Sequence, residues 1–183
     1  MSLRIIGGDW RGRIILAPEG VQTRPSSARL RESLFNILGQ RCDGWKVADL
    51  YAGSGAVGLE ALSRGASTAV FVENHALAIA VLKKNFQIDK SGRCSLEAVD
   101  VSNWKLKREN QNLFDFVFVD PPFTAPLPTG FNWLSLVANR GVLVFQFPTK
   151  SQPVWFAKPE RIEKYGDSSL AFWWKGEGHP LCQ

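Results

Sequence analysis

Asp120-Pro121-Pro122-Phe123 ends an apolar run, Phe116-Val117-Phe118-Val119, with an acid, two prolines and an aromatic. A run without polar alternation reads as a strand covered on both faces. Proline has no N–H to give to a ladder, so the strand stops here. The residue before a proline is driven to extended geometry, which stiffens the Asp-Pro-Pro backbone. A carboxylate is thereby held at the carboxyl end of a buried strand, the edge where open α/β sheets bind their ligands. The chemistry that suits it is methyl transfer to a base-bearing substrate held at this acid. Phe123 can stack on the extruded base. The alternative is structural, with Phe123 in the core and the two prolines as a plain strand stop.

A second group sits upstream. Gly53-Ser54-Gly55-Ala56-Val57-Gly58 matches G-x-G-x-x-G, and Glu73 follows 20 residues after Gly53. Taken literally this is the dinucleotide fingerprint. Asp49 argues against that reading, because an anionic pyrophosphate would meet its carboxylate just before the first glycine. S-adenosylmethionine (SAM) matches better. Its sulfonium and α-ammonium are cationic and suit Asp49 and Asp120. Its carboxylate suits the N–H groups at a helix start. Glu73 would take both ribose hydroxyls, since an ionised carboxylate has two acceptor oxygens. Asp100 would accept from the adenine amine. The cofactor set expected is Asp49, Tyr51, Ala52, Gly53, Ser54, Gly55, Glu73, Asn74, Asp100, Val101 and Asp120. Asp49, Glu73, Asp100 and Asp120 fall at four successive strand ends, and that spacing is stronger evidence than the glycine loop alone. The product would be S-adenosylhomocysteine (SAH), and no metal is expected.

Elements must bring these residues to one edge. Residues 4–17 read as a short basic hairpin or extended arm, turned at Gly7-Gly8. Ser26 or Ser27 caps a helix running to about Leu38, with Leu30, Leu34, Ile37 and Leu38 as its apolar stripe and Arg29, Arg31 and Glu32 off it. From Lys46 strands and helices alternate: strand 46–51, helix 56–64, strand 69–72, helix 75–88, strand 96–99, the strand ending at Asp120, a weak helix or loop over 129–139, and strand 141–145. That order implies a parallel sheet with right-handed crossovers. Arg161 to Tyr165 and Leu170 to Lys175 read as two strands about a Gly166-Asp167-Ser168 turn. The expected fold is α/β, a mostly parallel, seven-stranded Rossmann-like sheet flanked by helices. A small N-terminal β extension and an antiparallel C-terminal pair complete it. Residues 1–45 would be a basic arm and helix packed on a core of 46–183, forming one unit.

At 45% hydrophobic and 21% charged, the 183 residues are ordinary globular material. No apolar run could cross a membrane. Cys42, Cys94 and Cys182 form no C-x-x-C pair, which fits a reducing cytoplasm. The net charge is +5, and residues 1–46 hold nearly all of the excess. A clustered basic patch is the footprint of a phosphate-binding surface, or else a solvated face with no partner. Arg4, Arg11, Arg13, Arg24, Arg29 and Arg31 are the candidate RNA contacts, with Trp10 as a base stacker. For Trp10 the favoured alternative is packing against the body, and for each arginine a salt bridge or packing.

Asp49-Leu50-Tyr51-Ala52-Gly53-Ser54-Gly55 resembles the SAM loop of class I methyltransferases. Asp120 to Phe123 resembles their motif for exocyclic amines, which serves adenine N6 and guanine N2 alike. Two N-terminal stretches, Arg4 to Arg13 and Arg24-Pro25-Ser26-Ser27-Ala28-Arg29-Leu30-Arg31-Glu32-Ser33-Leu34-Phe35-Asn36, are similar to the RsmD-type 16S rRNA (guanine-N2)-methyltransferases. So are Gly58 to Gly65 and the segment around Lys164-Tyr165-Gly166. The resemblance implies methylation of one guanine of small-subunit rRNA in assembled or assembling 30S particles. A monomer is expected. His75 stands where the family often has Asp, Gln146 where an acid is common, and the stretch after Phe123 is proline-rich. An adenine-N6 methyltransferase and a non-catalytic RNA-binding assembly factor remain alternatives, with a NAD-dependent oxidoreductase further off.

Overall fold

Apolar strands covered on both faces organise the chain. The computed structural model describes residues 2–18, 28–106, 113–123, 131–151 and 153–176. Nine strands and four α-helices follow in chain order within them: β1 Ser2–Arg4, β2 Ile14–Leu16, α1 Ala28–Ile37, β3 Lys46–Leu50, α2 Ala56–Ser63, β4 Thr68–Val72, α3 Ala76–Asn85, β5 Cys94–Glu97, α4 Val101–Leu106, β6 Phe114–Val119, β7 Val137–Pro148, β8 Arg161–Tyr165 and β9 Ser168–Trp174. The main sheet has the order β5-β4-β3-β6-β7-β9-β8. Its first five strands pair in parallel, and β9 lies between β7 and β8, antiparallel to both. β1 and β2 form a separate antiparallel hairpin. The expected architecture is the one observed, seven strands and N-terminal extension included.

Two core layers follow from the period of two along each strand. Val47, Phe116, Phe118, Val142, Val144, Leu170 and Phe172 face the side that holds Ile5, Ile15, Leu30, Leu34, Phe35, Leu59 and Leu82. Ala48, Leu50, Val117, Val119, Leu143 and Phe145 face the other, with Trp104, Trp133 and Trp173. All eight residues of α2 are buried, because the sheet covers one side of the helix and the hairpin reaches the other. Among the described residues no helix is long and apolar enough to cross a membrane.

Some boundaries differ from those expected. β5 spans Cys94–Glu97, not 96–99. Its register is fixed by β4, with Ala69 opposite Cys94 and Val72 opposite Glu97. Ala98 and Val99 are exposed, so Asp100 belongs to the next turn. β7 begins at Val137 rather than Gly141, after a 3-10 turn over Trp133–Leu136. The register against β6 slips between Phe114 and Phe116, and Arg140 has φ 67. That irregularity hides the early part of the strand from any period-two reading. The α3 helix ends at Asn85 and gives way to a 3-10 turn over Phe86–Ile88. The caps expected at Ser26 and Ser27 lie outside the described residues.

Candidate active site

A cavity of ≈ 320 Å³ opens at the carboxyl ends of β3, β6 and β7. One wall is the loop from β3 into α2: Asp49, Tyr51, Ala52, Gly53 and Ser54, with Ala56 and Val57. The other is Phe118, Asp120, Pro121, Pro122 and Phe123, with Gln146, Lys150 and Asp167 beyond them.

The loop wall is built by close approach. Gly55 takes φ 75, and a Cβ there would lie 2.7 Å from the Leu82 Cδ2. A Cβ on Gly58 would lie 2.4 Å from the Phe71 Cε1 and 3.1 Å from the Asp49 Oδ2. Both positions therefore demand glycine. The Gly58 N–H donates to Asp49 Oδ2 at 2.9 Å. Asp49 is 2% exposed. Burial pushes its carboxyl up to about 7; the Gly58 hydrogen bond opposes this and the charge of Glu73 adds to it. A carboxylate that burial has made reluctant to ionise, set in a cavity wall, suits a cationic ligand group. Tyr51 sits at φ 60, and burial, with the charge of Asp100, pushes its phenol up to about 12.

Glu73 does more for the protein than expected. Its Oε2 accepts from the Gly53 N–H at 2.9 Å, and its Oε1 from the N–H groups of Asn74 at 2.9 Å and His75 at 2.8 Å. A carboxylate has about four lone-pair sites. Three are used in fixing the loop and the approach to α3, which leaves room for one further donor. Asp100 Oδ1 accepts from the Ser102 N–H at 2.8 Å and so caps α4. Asp100 Oδ2 accepts from Asn74 Nδ2 at 2.9 Å. Glu73, Asn74 and Asp100 thus form a bonded group beside Tyr51, next to the cavity wall rather than in it, and Val101 is buried in the core at the start of α4.

On the second wall, the Asp120 N–H donates to the Leu50 carbonyl at 3.2 Å, which extends the β3–β6 pairing by one residue. Pro121 is buried, Pro122 is exposed, and Phe123 is 40% exposed. An exposed aromatic ring on a cavity lip excludes the core reading of Phe123. Val119 pairs with Phe145 in register, so Gln146 stands beside Asp120 on the next strand. Gln146 is 2% exposed. Its signal in the sequence was a polar residue inside an apolar strand. Lys150, Asp167 and Pro18 gave no signal.

The basic N-terminal quarter divides. Arg4, Arg11, Arg13 and Arg29 are exposed. Arg31 is not: it is 1% exposed, and its Nη2 donates to the Arg4 carbonyl at 2.8 Å. Burial lowers its pKa from the ordinary value, against the charge of Glu60. The expectation of an RNA contact at Arg31 is therefore corrected. The hairpin covers a second face of α1, so Arg31 and Phe35 join Leu30 and Leu34 on the buried side. Trp10 packs on the body, with the Arg93 guanidinium 5.0 Å from its ring centre. Arg24 lies outside the described residues.

A family model described as "Conserved hypothetical protein 95" matches residues 3–174. The chain belongs to this family. The RsmD-type resemblance is shown by its curated members: "Ribosomal RNA small subunit methyltransferase D" of Escherichia coli K12 is 39% identical over 122 residues, 67% of this chain and 61% of that protein. The protein of the same name in Haemophilus influenzae is 42% identical over 127 residues, 67% of this chain and 64% of that protein. The match therefore spans just under two thirds of these relatives. Among solved structures, the methyltransferase candidate yhhF of Escherichia coli superposes with a TM-score of 0.81 at 29% identity, covering 97% of this chain and 100% of that one. A hypothetical protein of Thermus thermophilus gives 0.77 at 32%, covering 93% and 98%. The fold is the Rossmann-like fold of class I methyltransferases.

Proposed function

We propose that this chain transfers a methyl group from SAM to the exocyclic N2 amine of a guanine in small-subunit rRNA, acting as a cytoplasmic monomer on assembled or assembling 30S particles. The observation that carries the reading is the convergence of two motifs on one cavity. A buried acid and a glycine loop form one wall, and Asp120-Pro121-Pro122-Phe123 forms the other. The names of the family's curated members supply the RNA class.

The donor set fits the cofactor. Asp49 suits a cation, the glycine loop admits close approach of a ligand, and Glu73, Asn74 and Asp100 offer acceptors and a donor for the sugar and base. Tyr51, Ala52, Gly53, Ser54, Gly55 and Val101 complete that side. When bound, SAM supplies an electrophilic methyl group on its sulfonium.

The remaining tasks fall to the chain. The Asp120 carboxylate and the Pro121 carbonyl accept the two N–H bonds of the target amine and hold its lone pair toward the loop wall. Positioning of this kind replaces an improbable encounter with a prearranged one. Asp120 need not be a strong base, because the amine becomes acidic only once it carries the methyl group; the proton then leaves by way of the carboxylate. Phe123 stacks on the base and keeps water from that face. Arg4, Arg11, Arg13 and Arg29 meet RNA phosphates.

The test is transfer of labelled methyl from SAM to small-subunit particles and, separately, to naked small-subunit rRNA, with nucleoside analysis of the product. N2-methylguanine in the particles is expected. N6-methyladenine would replace this reading with the adenine one. SAM binding without transfer to either substrate would point to the assembly-factor alternative.

A further inference from the structure

The N-terminal hairpin is bonded to both helices that flank the glycine loop. At its turn, the N–H groups of Ile6 and Gly7 donate to Glu60 of α2 at 2.9 and 2.7 Å. Glu60 is fully buried and paired with Arg64 at 2.9 Å. The Trp10 N–H donates to Ser63 Oγ, also on α2, at 2.9 Å. At its other end, the hairpin meets Asn85, the last residue of α3. Asn85 is 5% exposed. Its Oδ1 accepts from the Leu16 N–H at 2.8 Å, and its Nδ2 donates to the Leu16 carbonyl and the Ser54 carbonyl, both at 2.9 Å.

An amide is the side chain this junction needs. It has one acceptor and two N–H donors, and here all three bonds are made in a buried place. Two go to strand β2 and one goes to the glycine loop itself. The loop has little freedom to move apart from α3, since Gly55 closes on Leu82 one turn before Asn85. Two residues beyond Leu16, Pro18 is already in the cavity wall. The exposed Arg11 and Arg13 lie on the same hairpin.

We propose that Asn85 is a positioning residue that makes the N-terminal hairpin part of the cofactor site, so that RNA held on the hairpin and cofactor held on the glycine loop strengthen one another's binding. The inference rests on the SAM and rRNA reading above. Order imposed on Leu16 by RNA is order imposed, through one amide, on the Ser54 carbonyl. Such coupling is reciprocal: whatever factor RNA adds to cofactor affinity, cofactor adds to RNA affinity.

The experiment is calorimetric titration of SAH into the full chain, alone and with saturating small-subunit particles, whose rRNA is the proposed substrate. In the wild type, RNA should tighten SAH binding about fivefold or more, at the low end of ordinary coupling. Asn85→Asp keeps the shape and the acceptor but removes both donors. It should weaken SAH binding about tenfold in the absence of RNA and abolish the gain from RNA, whereas a residue that only supported the fold would leave the ratio of the two affinities unchanged. Leu16→Pro removes one hairpin N–H and leaves Asn85 and the loop intact. It should lower the RNA-dependent gain with a smaller loss of SAH affinity, and it decides the matter if Asn85→Asp fails to fold. Wild-type ratios in the folded variants would overturn the role of Asn85. Wild-type SAH affinity indifferent to RNA would overturn the coupling and leave the cofactor reading standing. No SAH binding by the wild type would sink that reading and this inference together.

Discussion

The two walls of the cavity are made in opposite ways. The loop wall comes from one contiguous stretch, from β3 through α2, and the residues that brace it follow directly on β4 and α4. Its acids are held by the protein's own N–H groups: Asp49 by Gly58, Glu73 by Gly53, Asn74 and His75, and Asp100 by Ser102. The opposite wall collects Asp120 to Phe123, Gln146, Lys150, Asp167 and Pro18 from distant parts of the chain. Pro122, Phe123, Lys150 and Asp167 on it are exposed. A pre-bonded, buried wall suits a ligand whose shape never varies. An exposed wall gathered from several segments suits a large substrate that arrives with its own bulk. If that division holds, variants on the second wall should leave cofactor affinity nearly unchanged while transfer fails, and variants on the first wall should weaken the cofactor.

The largest expected effect is on the second wall. Asp120→Ala should lower the methyl-transfer rate about 10³-fold, within the range general acid–base groups supply, with the fold intact because Asp120 is only partly buried. The measurement is single-turnover transfer with SAM affinity in parallel. Full activity in that variant would remove Asp120 from the chemistry, and a comparable loss of SAM affinity would move it to the cofactor wall.

On the first wall, pH is the lever. Burial holds the Asp49 carboxyl near 7, whereas an unfolded aspartate titrates near ~3.9. The folded, unliganded chain therefore binds this proton more tightly than the unfolded one, and Asp49's share of stability is lost as pH rises between those values. Cofactor binding has the opposite slope, because a cationic ligand needs the ionised form. SAM affinity should fall about tenfold for each unit of pH below 7 and level off above it. Asp49→Asn should flatten the profile at an affinity about tenfold or more below the wild-type plateau, as expected when a hydrogen bond to a charged group is lost. Calorimetry in buffers of different ionisation enthalpy would detect the released proton, and a flat wild-type profile would contradict the assignment.

A smaller change on the second wall is Phe123→Ala. Base stacking contributes roughly 1–3 kcal/mol, so the substrate KM should rise about tenfold with SAM affinity unchanged. Because the ring is exposed, the melting temperature should hardly move. A drop in stability instead would mean that the ring packs against the body.

The same division explains what the sequence made legible. The loop wall follows chain order, so strand ends, glycines and acids could be placed by spacing alone; Asp49 and Asp120 line the cavity, while Glu73 and Asp100 stand beside it. Spacing places Glu73 at a strand end but cannot show that three backbone N–H groups already bond to it. Gln146 stands beside Asp120 only through the register of β6 and β7, and Lys150 and Asp167 arrive only because β9 folds back along β7. No local pattern encodes those meetings. Arg31 departs from its expected role for a related reason. Its helix carries a second buried face only once the hairpin is laid over it, and that is a tertiary fact.

Lys150 gives the smallest and most discriminating test of the division. It is exposed and follows the end of β7 on the cavity lip, so its ammonium stays solvated and can gain only a screened contact with an RNA phosphate. Exposed ion pairs contribute about 0–1 kcal/mol. Lys150→Ala should therefore weaken RNA binding by no more than about fivefold, leave SAM affinity and the transfer rate at saturation alone, and lower the slope of log affinity against log salt by about 0.7, the value for one phosphate of a single strand. The salt slope is the decisive readout, because a residue that shaped the cavity would change affinity without changing the number of counterions released. An unchanged slope with a weakened cofactor would place Lys150 on the first wall and dissolve the division into one continuous site.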